Sequence, residues 1–68
     1  MQITLKAARV NAGFTQNQAA KAINKNTMTL ANWENGKTDI DARYLYELCE
    51  LYKVPVNLII LPTKLALS

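Results

Sequence analysis

The 68-residue chain has no histidine, one cysteine, two glycines and two prolines, and each shortage removes something. Without histidine or a second cysteine, the commonest zinc ligands and the usual general base near neutral pH are missing. No glycine-rich phosphate loop compensates for them. The sequence therefore offers no metal, cofactor or small-molecule substrate site, and an enzyme is not expected. Cys49 stands alone and cannot form an internal disulfide; its place in a helical apolar pattern reads as a buried thiol rather than a nucleophile. No apolar run is long enough to span a bilayer, and no basic leader with an apolar stretch follows Met1, so a cytoplasmic protein with no membrane role is expected. The length suits one domain, near the lower limit for a core without staples.

Acidic residues are scarce in one half only. Residues 1–37 carry five basic side chains against Glu34 alone, a net +4, whereas residues 38–68 carry three against four, a net −1. A basic excess confined to one half points to a phosphate backbone as the partner.

The basic half contains the most informative stretch, TQNQAAKAINKNTMTLANWENG from Thr15 to Gly36. It reads as two short helices joined by a polar turn. Thr15 caps the first, which runs to Ile23 and buries Ala19, Ala20 and Ile23. Asn24 tolerates the left-handed backbone that a helix end demands, and Asn26 caps the second helix, Thr27 to Asn35, which stops at Gly36. That helix buries Leu30 and Trp33. Its remaining surface, Thr27, Met28, Ala31, Asn32 and Asn35, is small, neutral or amide-bearing, with Glu34 its one charge. A solvated helix would be dense in lysine and glutamate, whereas a helix lying in the major groove needs amides, hydroxyls and methyl groups facing base edges.

Supporting helices are expected on both sides. Thr4 caps a first helix, Leu5 to Ala12, with Leu5, Ala8 and Ala12 inward and Gly13 as its stop; Phe14 then plugs the core. A fourth helix begins near Asp41, buries Ala42, Leu45, Leu48, Cys49 and Tyr52, and carries Lys53 in its last turn. Pro55 opens a fifth, with Val56, Leu58, Ile59 and Ile60, ending before Pro62.

These residues resemble the phage-repressor and Cro-type helix-turn-helix family, also called the xenobiotic-response-element (XRE) family. Thr15-Gln16, Trp33-Glu34-Asn35-Gly36-Lys37, and Leu45, Leu48 and Val54 carry the resemblance, which extends from about Leu5 to Ile60. It implies an all-α, five-helix lambda-repressor-like DNA-binding domain over residues 1–61, followed by an apolar tail at 62–68. It also implies roles. Thr27, Met28 and Asn32 would read bases, and Gln16, Lys25, Asn26, Thr29, Asn35 and Lys37 would hold phosphates or serve both purposes. Arg9 and Glu34 would form a structural ion pair. Four departures stand out: Ala19 where leucine is usual, Asn24 for the turn glycine, Lys25 for a small apolar residue, and Ile40 for a common proline. Lys25 either swings out to a phosphate or disturbs the helix pair.

The segment after Val54 has more apolar side chains than one short helix can bury in one core. Either Leu65 and Leu67 fold back over the domain, or a self-complementary dimer face forms from Tyr44, Leu51, Leu58, Ile59 and Leu61. The expected function is a homodimeric, sequence-specific regulator of double-stranded DNA, a repressor or Cro-like switch of phage or mobile-element type. The alternative is an antitoxin or adaptor whose C-terminal segment grips a protein partner.

Overall fold

Residues 2–62 are described in a computed structural model. Their order is β1 (Ile3–Thr4), α1 (Leu5–Asn11), α2 (Gln16–Ala22), α3 (Thr27–Asn35), α4 (Ala42–Tyr52), a 3₁₀ turn at Val56–Leu58, and β2 (Ile59–Ile60).

Every α-helix begins on a side-chain cap. Thr4 Oγ1 accepts from the Ala7 amide at 3.0 Å, Asn26 Oδ1 from Thr29 at 2.8 Å, and Asp41 Oδ1 from Arg43 at 3.3 Å. At α2 the capping is reciprocal: Thr15 Oγ1 accepts from the Gln18 amide, and Gln18 Oε1 accepts from the Thr15 amide. Such caps hold orphan amides and contribute about 1 kcal/mol each.

The four helix ends also share one device. Gly13, Asn24, Gly36 and Lys53 have positive φ. The amide after each bonds back five residues: Phe14 to Arg9, Lys25 to Ala20, Lys37 to Asn32, and Val54 to Cys49. These are Schellman closures, which satisfy the carbonyls a helix leaves behind. The two glycines close α1 and α3; Asn24 and Lys53 do the same work with side chains attached. Lys53 thus lies past the last turn of α4, in the left-handed conformation at φ 62°, rather than within it. Gly36 has a second constraint, because a Cβ there would stand 2.9 Å from Pro62 Cβ.

Leu5, Leu30 and Leu48 are fully buried, with Ala8, Ala19, Ala20, Ile23, Trp33, Cys49, Tyr52 and Ile59 around them. Phe14 meets Tyr52 at 5.9 Å between ring centroids, and Trp33 stacks on Tyr44 at 5.6 Å. The inner stripe of α1 is Leu5, Ala8 and Arg9, not Leu5, Ala8 and Ala12; Ala12 is exposed at the helix end. A buried arginine on an apolar stripe needs partners, and it has them.

The expected fifth helix does not form. Val56–Leu58 makes one 3₁₀ turn, and Ile59–Ile60 then pairs parallel with Ile3–Thr4, Ile3 opposite Ile59 and Thr4 opposite Ile60. The ladder gives backbone partners to the segment ahead of α1, and β-branched residues suit it. Strand alternation also resolves the apolar crowding: Ile59 enters the core, while Ile60 faces out at 43% exposure. Ile59 is therefore a core residue and leaves the expected dimer face. Of the others, Tyr44, Leu51 and Leu58 are half-buried and Leu61 is exposed. Leu65 and Leu67 lie outside the described residues. Among the described residues, no helix is long and apolar enough to cross a membrane.

Candidate nucleic-acid interface

α2 packs chiefly on α3. Ala19 and Ala20 are buried there, and small side chains let two helix backbones approach closely. The turn at Asn24 sends the chain directly from the closure of α2 into the Asn26 cap of α3. With Leu30 and Trp33 anchored inward, the orientation of α3 is fixed. Its outer surface consists of Met28 and Asn35, exposed, and Thr27, Thr29, Ala31 and Asn32, half-buried.

Glu34 is missing from that surface. Its side chain is only 1% exposed, and Arg9 grips it with two donors, Nε to Oε2 at 2.8 Å and Nη2 to Oε1 at 3.3 Å. Arg9 Nη1 donates to the Phe14 carbonyl at 2.9 Å. Gln16 Nε2 donates to Glu34 Oε1, also at 2.9 Å. The network ties the first turn of α2 to α1 and α3, and satisfies a buried charge pair that would otherwise be costly. It also leaves the outer face of α3 with no charge at all.

Tyr52 borders this network. Burial raises its pKa, the Glu34 charge adds to the effect, Arg9 opposes it, and Cys49 contributes a further small rise. Its hydroxyl is buried with no partner among the described residues, and the phenol stays neutral. Burial likewise raises the pKa of Cys49, which makes the thiol a poor nucleophile.

The remaining site residues fall into three groups. Thr27, Met28 and Asn32 lie along the outer face of α3, with Met28 the most exposed at 67%. Asn26, Asn35 and Lys37 stand at its two ends, and Thr29 sits in its first turn. Asn26 spends its carbonyl oxygen on the cap, which leaves its amide N–H groups as the part suited to a phosphate. Gln16 spends one N–H on Glu34 and retains another.

Lys25 takes a position between the two expected alternatives. Its ammonium lies 4.4 Å from the centroid of the Tyr44 ring, which itself stacks on Trp33. The lysine thus rests on an aromatic platform. Arg43 approaches the same ring at 5.2 Å, so two cations meet on Tyr44. Arg43 and Tyr44 carried no sequence signal for this arrangement, since it depends on how α4 meets α3. Asn17 was also unmarked, yet its Oδ1 accepts a hydrogen bond from Thr27 Oγ1 at 3.1 Å.

Residues 5–59, from the start of α1 to the first residue of β2, match a helix-turn-helix family model. The chain is also 40% identical over 53 residues to the HTH-type transcriptional regulator ImmR of Bacillus subtilis (strain 168), an alignment covering 78% of this chain and 42% of that protein. The chain thus spans about two fifths of the length of this curated relative. No solved structure matches it. The capped helix pair, the uncharged outer face of α3 and the extent of the family match lead to one assignment: the chain belongs to the XRE-type helix-turn-helix family of DNA-binding transcriptional regulators.

Proposed function

We propose that this protein is a sequence-specific regulator that binds as a homodimer, a repressor or Cro-like switch of phage or mobile-element type, acting in the cytoplasm. One observation carries the reading: α3 turns its only charged side chain inward onto Arg9 and presents hydroxyls, amides and methyl groups outward. Such a surface carries the donors, acceptors and methyl groups that match base edges. Thr27, Met28 and Asn32 read bases. Gln16, Lys25, Asn26, Thr29, Asn35 and Lys37 fix the register through phosphates, which need donors only. Repression is steric, with two recognition helices in successive major grooves about 34 Å apart.

Dimer formation draws on Leu51, Leu58 and Leu61, half-buried or exposed apolar side chains around the last turn and strand. Exposed Ile60 beside Leu61 also suits the second reading, an antitoxin or adaptor module that grips another protein.

The test is selection of bound duplexes from a random pool at near-physiological salt. An enriched inverted repeat is the expected result. A lone half-site would keep DNA reading and remove the dimer, while weak, salt-sensitive binding without enrichment would favour the protein-binding module.

A further inference from the structure

Asn17 is exposed, and it neither caps a helix nor packs in the core. The one hydrogen bond of its side chain among the described residues runs to Thr27, the first residue of α3, whose Oγ1 donates to Asn17 Oδ1 at 3.1 Å. The bond therefore links the first turn of α2 to the first turn of α3, at the end of α3 that carries exposed Met28.

The direction of that bond has chemical content. A threonine hydroxyl has one proton and two lone pairs, and a free one rotates to donate or accept as its neighbour requires. Here the proton is directed to Asn17, so the lone pairs of Thr27 Oγ1 are what it has left for a partner. Asn17 in turn uses one lone pair of its oxygen on that bond, and its Nδ2 carries two donors that no acceptor takes among the described residues. The two side chains present an acceptor beside a donor.

We propose that Asn17 is a specificity-determining residue: it fixes the Thr27 hydroxyl as an acceptor, and the pair selects adenine and rejects guanine at one major-groove position. The inference rests on the reading of this protein as a sequence-specific DNA binder. Adenine shows the complementary pattern, the N6 donor beside the N7 acceptor. Guanine shows acceptors at both N7 and O6, so Thr27 would meet lone pairs with lone pairs. Thymine offers an acceptor and a methyl group, and cytosine offers a donor without the adjacent acceptor.

The experiment is random-pool selection with the unaltered protein, Asn17→Ala and Thr27→Val, followed by titration of the enriched duplex and its adenine-to-guanine variants. Unfolding curves for these proteins and for the variant carrying both substitutions accompany it. For the unaltered protein, one position of the half-site should prefer adenine over guanine by about tenfold or more, the scale of a good paired base contact. Asn17→Ala frees the hydroxyl to donate, so the preference there should fall to about threefold or less, with the other positions unchanged. Thr27→Val should lose the same preference, and adding Asn17→Ala to it should change little, the signature of two residues acting as a unit. An enriched site whose base profile is the same in Asn17→Ala overturns the inference and leaves DNA reading intact. No enriched site for the unaltered protein overturns both.

Discussion

α3 and α4 are neighbouring helices of similar length with opposite surfaces. α4 buries Leu48, Cys49 and Tyr52 and turns Arg43, Tyr46, Glu47 and Glu50 outward, the common division of an amphipathic helix. α3 buries Leu30 and Trp33 and folds its only charge under itself. The difference shows that two exposed helices can be told apart by where the charges go as well as by how many there are. Glu34, counted from the sequence, makes α3 look merely poor in charge. Placed in space, its side chain is buried against Arg9.

The largest way to break this comparison is to remove the two glutamates separately. Glu34→Ala leaves Arg9 buried without its carboxylate and should cost about 3–5 kcal/mol of stability. Glu50→Ala, on the exposed side of α4, should stay within about 0.5 kcal/mol. Chemical denaturation of both variants decides it, and equal losses would mean that Glu34 is no more structural than a surface charge.

Next comes one exposed apolar side chain from each helix, Met28 on α3 at 67% and Tyr46 on α4 at 60%. Met28→Glu should leave the melting temperature in place and lower affinity for the selected duplex at least about a hundredfold, because it brings a carboxylate against phosphates. Tyr46→Glu should alter neither by much. Comparable loss from both would remove α3 as the contact surface.

Within the α3 region the contrast becomes finer. Asn32→Ala should cost about 1–3 kcal/mol of discrimination at one base position. Lys37→Ala should weaken binding to all sequences and reduce the salt slope by about one. Uniform weakening by Asn32→Ala would turn that residue from a base reader into a phosphate clamp.

The smallest effects concern how the two helices end. Gly36→Ala closes α3 with a strained left-handed alanine and pushes a Cβ against Pro62, at a cost of about 1–2 kcal/mol or slightly more. Lys53→Gly relieves the same strain at the end of α4 and should raise stability by about 0.5–1 kcal/mol, less than the full strain because glycine also loosens the unfolded chain. Thermal unfolding measures both, and a loss on Lys53→Gly would show that the lysine side chain contributes more there than its backbone costs.

The helices were legible in the sequence because their signals are local. Thr4, Thr15, Asn26 and Asp41 mark four starts, and Gly13, Asn24 and Gly36 mark three stops within a few residues of the apolar pattern they bound. Lys53 was misplaced because lysine gives no hint of a left-handed backbone. The missing fifth helix has a different cause. Pro55 and the apolar run after it fit a helix start, and a two-residue strand contains only one alternation, too little for any periodic reading. Its partner, Ile3–Thr4, stands at the other end of the chain, so the deciding interaction is the least local in the fold. The same holds for the site. The outer residues of α3 follow from helix period, whereas the Gln16–Glu34 bond, the Lys25–Tyr44–Trp33 stack and the Asn17–Thr27 bond depend on how helices meet.

The β1–β2 pair has a mechanical consequence. Its strands lie side by side and run the same way, one near each end of the described chain. Tension applied at residues 2 and 62 would therefore draw the strands along their lengths in opposite directions. The bonds between them would be sheared together rather than peeled one by one, and the four helices between would carry no load until that short ladder gave way.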